Sequence, residues 1–85
     1  MNLKPVRNKD INWRQYKKAS LLDSGLALNS TATFIMGFCN GEHTVDEIIS
    51  EVVNFYKINL QDATRDVTEV LQQLINHDVI QWKES

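Results

Sequence analysis

The chain of 85 residues has little cysteine and little glycine, and it has no long apolar run. Its single cysteine, Cys39, cannot form a disulfide within the chain, and this fits a reducing compartment. Three glycines, at positions 25, 37 and 41, match no phosphate-binding loop. No apolar run approaches the ~20 residues that span a bilayer, and the first residues lack the apolar stretch of a secretory signal. These absences predict one cytoplasmic domain that uses neither a nucleotide loop nor a membrane.

Charge is distributed unevenly along the chain. Residues 1–20 have a net charge of +5, whereas residues 21–85 have a net charge of −7, which together give the overall −2. A basic segment can contact nucleic acid or steer an acidic peptide, and it can equally complement the acidic part of its own domain. The sequence alone leaves these alternatives open.

Two regions are predicted from composition and periodicity. Residues 1–10 are polar, include the only proline and show no periodicity, which predicts a flexible N-terminal arm. Residues 11–85 are predicted to form the folded domain. Within it, a weak strand is expected near residues 11–16, and two further strands, 19–22 and 26–28, flank a turn of Asp, Ser and Gly.

Three helices are predicted after these strands. The first is capped by Asn29 or Ser30 and is expected to stop at Asn40-Gly41, with Gly37 inside it. The second begins with Thr44 and Glu47, which are spaced as a capping box.

The third helix is predicted to start near Asn59 and to end at residues 76–78, after which residues 79–82 return as a short strand or packed tail. Strands followed by three helices predict an α+β fold of the winged helix-turn-helix type.

No residue set predicts catalysis or metal binding. Cys39 lies on the apolar face of the first helix, where a thiol behaves as a small hydrophobic group, although His43 or His77 would be its candidate bases. His43 and Glu47 are four residues apart, but a closed zinc site requires about four ligands. We therefore expect no enzyme activity, no metal and no cofactor.

A winged-helix nucleic-acid-binding protein is the alternative function. Phosphate contacts supply most of the affinity of such proteins and require basic helices. The second and third helices contain only Lys57 and Arg65 as basic residues, and the acidic residues in and just before them are Glu42, Asp46, Glu47, Glu51, Asp62, Asp66 and Glu69. This surface repels a duplex, so no DNA binding is expected.

The order of motifs resembles the PqqD-like domains, which bind the leader peptides of ribosomally made, modified peptides. The resemblance covers about residues 11–80 and consists of a hairpin ending in Leu-Asn, a short helix ending in Asn-Gly, a Thr-Val-x-Glu-Ile helix start and a last helix rich in Val and Leu. The matching residues are Leu28, Asn29, Ala32, Ile35, Asn40, Gly41, Thr44, Val45, Glu47, Ile48, Val67, Leu71 and Leu74. The ending His-Asp-Val-Ile departs from the family, which often has glycine where this chain has Asp78.

This resemblance implies a non-catalytic peptide chaperone that captures a leader peptide by strand addition. The peptide would pair with the edge of the hairpin's last strand, lie against the third helix and be presented to a modifying enzyme such as a radical SAM maturase or a leader peptidase. The peptide-binding residues that it implies are Leu26, Ala27, Leu28, Thr64, Thr68, Leu71, Gln72 and Ile75.

Overall fold

A computed structural model describes residues 3–84. Antiparallel strands precede three helices, which confirms the predicted α+β class, while the winged-helix likeness stays a prediction. The elements are β1 (Leu3–Arg7), β2 (Trp13–Tyr16), β3 (Ala19–Leu22), β4 (Ala27–Leu28), α1 (Ser30–Met36), α2 (Val45–Tyr56), α3 (Leu60–Asn76) and β5 (Ile80–Glu84). None of the helices in this part of the chain has both the length and the apolarity needed to cross a bilayer.

The predicted hairpin is confirmed and belongs to a three-stranded antiparallel sheet with the order β2-β3-β4. Strand β4 has only two residues because the next residue, Asn29, already caps α1. The Oγ atoms of Ser20 and Thr33 are 2.7 Å apart, and this hydrogen bond holds α1 over β3. As a result, the short strand β4 lies at the edge of the sheet and leads directly into α1.

The two ends of the chain form a second sheet, in which β1 and β5 pair from Leu3↔Glu84 to Arg7↔Ile80. The predicted flexible arm is therefore wrong for residues 3–7, and Met1 and Asn2 lie outside the described residues. Pro5 is fully buried in this ribbon. The partner strand is more than 70 residues away in sequence, so no local pattern marks β1 as a strand.

Helix α1 ends at Met36, before the predicted stop at Asn40-Gly41. The chain leaves the helix early because residues 39–41 pair with β1: the N–H of Arg7 donates to the carbonyl of Cys39 at 2.9 Å, and the N–H of Gly41 donates to that of Pro5 at 2.9 Å. Gly41 adopts φ +81°, a left-handed conformation that favours glycine. Gly37 consequently lies just after the helix, not inside it.

All three helices begin with side-chain caps, and those of the first two were predicted. The Oδ1 atom of Asn29 accepts from the N–H of Ala32 at 2.8 Å, and Asn59 caps α3 in the same way. At the start of α2, the N–H of Glu47 donates to the hydroxyl of Thr44 at 3.2 Å, and the N–H of Thr44 donates to the Glu47 carboxylate at 2.8 Å. The capping box predicted from the sequence is thereby confirmed.

Removal of this capping box should destabilise the protein measurably. Thr44→Ala is expected to lower the free energy of unfolding by about 1 kcal/mol, whereas Thr44→Ser keeps the capping oxygen and should cost much less. The backbone N–H of Thr44 holds the pKa of Glu47 below its usual 4.5. A carboxylate with a lowered folded-state pKa stabilises the fold above pH 4.5 and loses that contribution as the pH falls through the folded-state value.

Urea unfolding of the three proteins at pH 7 and pH 3 measures both effects. We expect all three proteins to be less stable at pH 3, because each keeps the backbone N–H of residue 44 and its hydrogen bond to Glu47 weakens as the carboxylate is protonated. Equal unfolding midpoints at pH 7 would contradict this assignment of the helix start.

The end of α3 explains the glycine that the PqqD-like domains often have at the position of Asp78. Asp78 adopts φ 57°, and the N–H of the next residue, Val79, donates back to the carbonyl of Leu74 at 2.8 Å. A residue that follows a helix in the left-handed backbone conformation is usually glycine, although Asp tolerates this conformation better than most residues. Helix α3 therefore ends where the sequence predicted, with Asp78 in the role of glycine.

One hydrophobic core joins the three-stranded sheet, the helices and β5. Helix α3 contributes a stripe at helical spacing, and α2 packs along it. The buried apolar residues are Leu22, Leu28, Ala32, Ile35, Met36, Cys39, Ile48, Ile49, Val52, Ala63, Val67, Leu71, Leu74, Val79 and Ile80.

Candidate functional site

The outer edge of β4 carries backbone groups that no neighbouring strand uses. The N–H of Leu22 donates to the carbonyl of Leu26 at 2.9 Å, so Leu26 directs its backbone groups towards β3. Along an antiparallel strand this direction alternates. Ala27, opposite Leu21, therefore directs its N–H and its C=O away from β3, and Leu28 again directs its groups towards β3. Ala27 thus offers one free donor and one free acceptor at the edge.

A cleft of about 560 Å³ lies beside this edge, between the β4–α1 junction and α3. Its lining residues are Ala27, Leu28, Asn29, Ala32, Glu69, Val70 and Gln73. The apolar part consists of Leu28, Ala32 and Val70, while Glu69 and Gln73 are the polar residues on α3. A smaller cavity of about 190 Å³ shares several of these residues and adds Thr31 and Asp66.

The structure brings only some of the predicted binding residues to this cleft. Ala27 and Leu28 line it. Leu26 is half-buried and precedes β4, and Leu71 is buried in the core with 4% exposure.

The remaining predicted residues lie on the other flank of α3. Successive helical residues are about 100° apart, so the exposed Thr68 lies on the side of α3 away from Val70. Thr64, Gln72 and Ile75 share the flank of Thr68. The residues of α3 that face β4 are Asp66, Glu69, Val70 and Gln73, and the sequence analysis did not place them in the site.

An exposed aromatic surface lies apart from the cleft and shares no lining residue with it. The rings of Phe34 and Phe55 stack with their centroids 4.6 Å apart, and Phe38 and Tyr56 meet Phe34 edge-on at 5.1 and 5.5 Å. These rings line a cavity of about 400 Å³, and the side chain of Phe55 is 62% exposed.

Cys39 is a buried core residue. Its thiol donates to the carbonyl of Ile35 at 3.6 Å, and no part of the residue is exposed. Burial raises the pKa of the Cys39 thiol to about 12, against a smaller lowering effect of Arg7. The ring of His43 packs edge-on against Phe38 at 5.4 Å. Within residues 3–84, no three His, Cys, Asp or Glu side chains lie close enough together to hold a metal ion.

The burial of Cys39 predicts very slow reaction with thiol reagents. Only the thiolate reacts, and the native state both hides this thiol and disfavours its ionisation. We expect an aromatic disulfide to label native protein at pH 8 at least about a thousandfold more slowly than protein unfolded in urea, because the reagent must await opening of the core. Absorbance of the released thiol reports both rates. Rapid stoichiometric labelling of the native protein would contradict this assignment.

Comparison with known proteins supports the resemblance drawn from the motifs. The family model for coenzyme PQQ synthesis protein D matches residues 21–80, which contain β4, all three helices and the whole cleft. Comparisons with curated proteins and with solved structures found no match.

Proposed function

Because the chain belongs to the PqqD family, we propose that it is a non-catalytic adaptor that binds the leader of a ribosomally synthesised precursor peptide. The observation that carries this proposal is the open edge at Ala27 beside the cleft. An extended peptide there would add a fourth strand to the sheet β2-β3-β4 and complete the hydrogen bonding of that edge.

The cleft supplies a second component of recognition. Side chains of a strand alternate between two faces, so every second side chain of an added peptide would face the same side as the buried Leu28. Those side chains would enter the cleft between Ala32 and Val70, while the others would remain in solvent. Backbone hydrogen bonds would thus give affinity, and the cleft would select the sequence.

The chemistry would belong to a partner enzyme. A peptide held in extended form presents its remaining residues to a modifying enzyme, for example a radical SAM maturase or a leader peptidase. The adaptor would contribute binding and orientation of the substrate.

Amide chemical shifts test the proposal residue by residue. A ¹⁵N-labelled protein would be titrated with a synthetic leader of a precursor encoded beside its gene. We expect the largest shifts at Ala27 and Asn29 and at residues 69–73 of α3. Shifts confined to the aromatic surface around Phe34 and Phe55 would refute binding at this edge.

A further inference from the structure

We infer that the peptide bound by this cleft is basic and places a Lys or Arg side chain against α3. This inference rests on the proposed function and adds the chemistry of the ligand to it. Three observations support it: the charge of the cleft wall, the position of the protein's own basic residues, and the register that Ala27 imposes.

The flank of α3 that faces β4 has an excess of negative charge. Glu69 lines both cavities and forms no ion pair within residues 3–84. Asp66 lies 4.0 Å from Arg65, but this guanidinium is closer to Asp62, at 3.0 Å. Arg65 is therefore shared between Asp62 and Asp66, and the carboxylate of Glu69 can pair with a cationic side chain of the ligand.

The basic residues near the sheet lie outside the cleft. Arg14 is on β2, and Lys17 and Lys18 form the turn between β2 and β3; all three are exposed. Strands are about 4.8 Å apart, so β2 lies about 10 Å from β4 across β3. Lys18 lines the cavity of the aromatic surface, beside Ser30. None of the three basic residues lines the cleft or the smaller cavity. A peptide that approaches β4 meets carboxylates first, which disfavours the acidic leader considered from the sequence.

The register determines which peptide residues reach these carboxylates. The residue paired with Ala27 turns its side chain to the exposed face, as Ala27 does. The residue opposite Leu28 turns into the cleft and contacts the apolar pair Ala32 and Val70. The next cleft-facing side chain, two residues further towards the Thr31 end, meets the carboxylates of α3. The ligand is accordingly an extended segment with an apolar residue and a Lys or Arg two positions apart.

Selection from a displayed library of randomised 12-residue peptides tests this chemistry without knowledge of the natural precursor. The selection would use the unsubstituted protein, Glu69→Lys and Glu51→Lys. Glu51 is exposed on α2 and lines neither cavity, so its reversal changes the net charge equally without altering the cleft. The unsubstituted protein and Glu51→Lys should enrich the same basic pattern, and Glu69→Lys should instead enrich Asp or Glu at the basic position.

A selected peptide would then be measured against each protein. Glu69→Lys should weaken its binding about tenfold, and a Glu in place of the peptide's Lys or Arg should restore most of the loss. One contrary result is that the enriched peptides shift the Ala27 amide resonance and yet have no preference for basic residues, or prefer acidic ones. That result would overturn this inference, while binding by strand addition would still hold. No enrichment, or enrichment without a shift at Ala27, would overturn the proposed function and this inference with it.

Discussion

Proline in place of Ala27 should weaken leader-peptide binding at least about tenfold while the protein remains folded. The N–H of Ala27 points away from β3, so proline removes a donor that the sheet itself does not use. Proline is tolerated on edge strands when its missing N–H would have faced solvent. An added peptide, in contrast, would lose that hydrogen bond and would meet the proline ring at the edge.

Ala27→Val is the matched control, because it keeps the N–H and enlarges the side chain only on the exposed face. We expect its affinity to stay within about twofold of the unsubstituted protein, since valine also suits a strand. Calorimetric titration with the leader gives the affinities, and thermal unfolding checks the fold. A folded Ala27→Pro protein with undiminished affinity would show that the peptide does not pair with β4.

Tryptophan in place of Gln73 should also reduce peptide binding at least about tenfold, because it would occupy the cleft. Gln73 is an exposed residue that lines the cleft from α3, so its replacement changes the surface and not the core. Surface substitutions of this kind usually change stability by no more than about 0.5 kcal/mol. The loss should therefore appear in the dissociation constant and not in the unfolding midpoint.

Thr68→Trp provides the matched comparison on the same helix. Thr68 is also exposed but lies on the flank away from β4, so its replacement should change the affinity by less than about twofold. Comparison of the two variants shows whether the peptide uses the flank of α3 beside β4 or the flank predicted from the sequence. If Thr68→Trp blocked binding and Gln73→Trp did not, the peptide would use the flank of Thr64 and Ile75.

The features that the sequence predicted well are local ones. Asn29, Thr44 and Asn59 each satisfy backbone N–H groups within three residues, so their caps are visible in short stretches of sequence. The spacing of Val67, Leu71 and Leu74 in the same way reveals the buried stripe of α3. These signals sufficed for the helix starts, the hairpin and the fold class.

Features that depend on distant contacts were missed. Strand β1 exists because Leu3–Arg7 pairs with β5, and α1 ends at Met36 because residues 39–41 pair with β1. Which flank of α3 lies beside β4 was not predicted, for a related reason. Both margins of its buried stripe are largely polar, and the packing of α3 beside β4 determines which margin lines the cleft.

Leu3 pairs with Glu84, so the first and last strands of the domain have neighbouring outer ends. Domains whose ends lie together can be inserted into a surface loop of another protein, because the host loop needs to open by only a strand spacing. They also tolerate circular permutation, in which a short linker joins the old ends and a new break opens an exposed turn. Residues 23–25 form such a turn, between β3 and β4. A permuted chain opened there would begin with β4 itself, so that the binding edge became the first element of the protein.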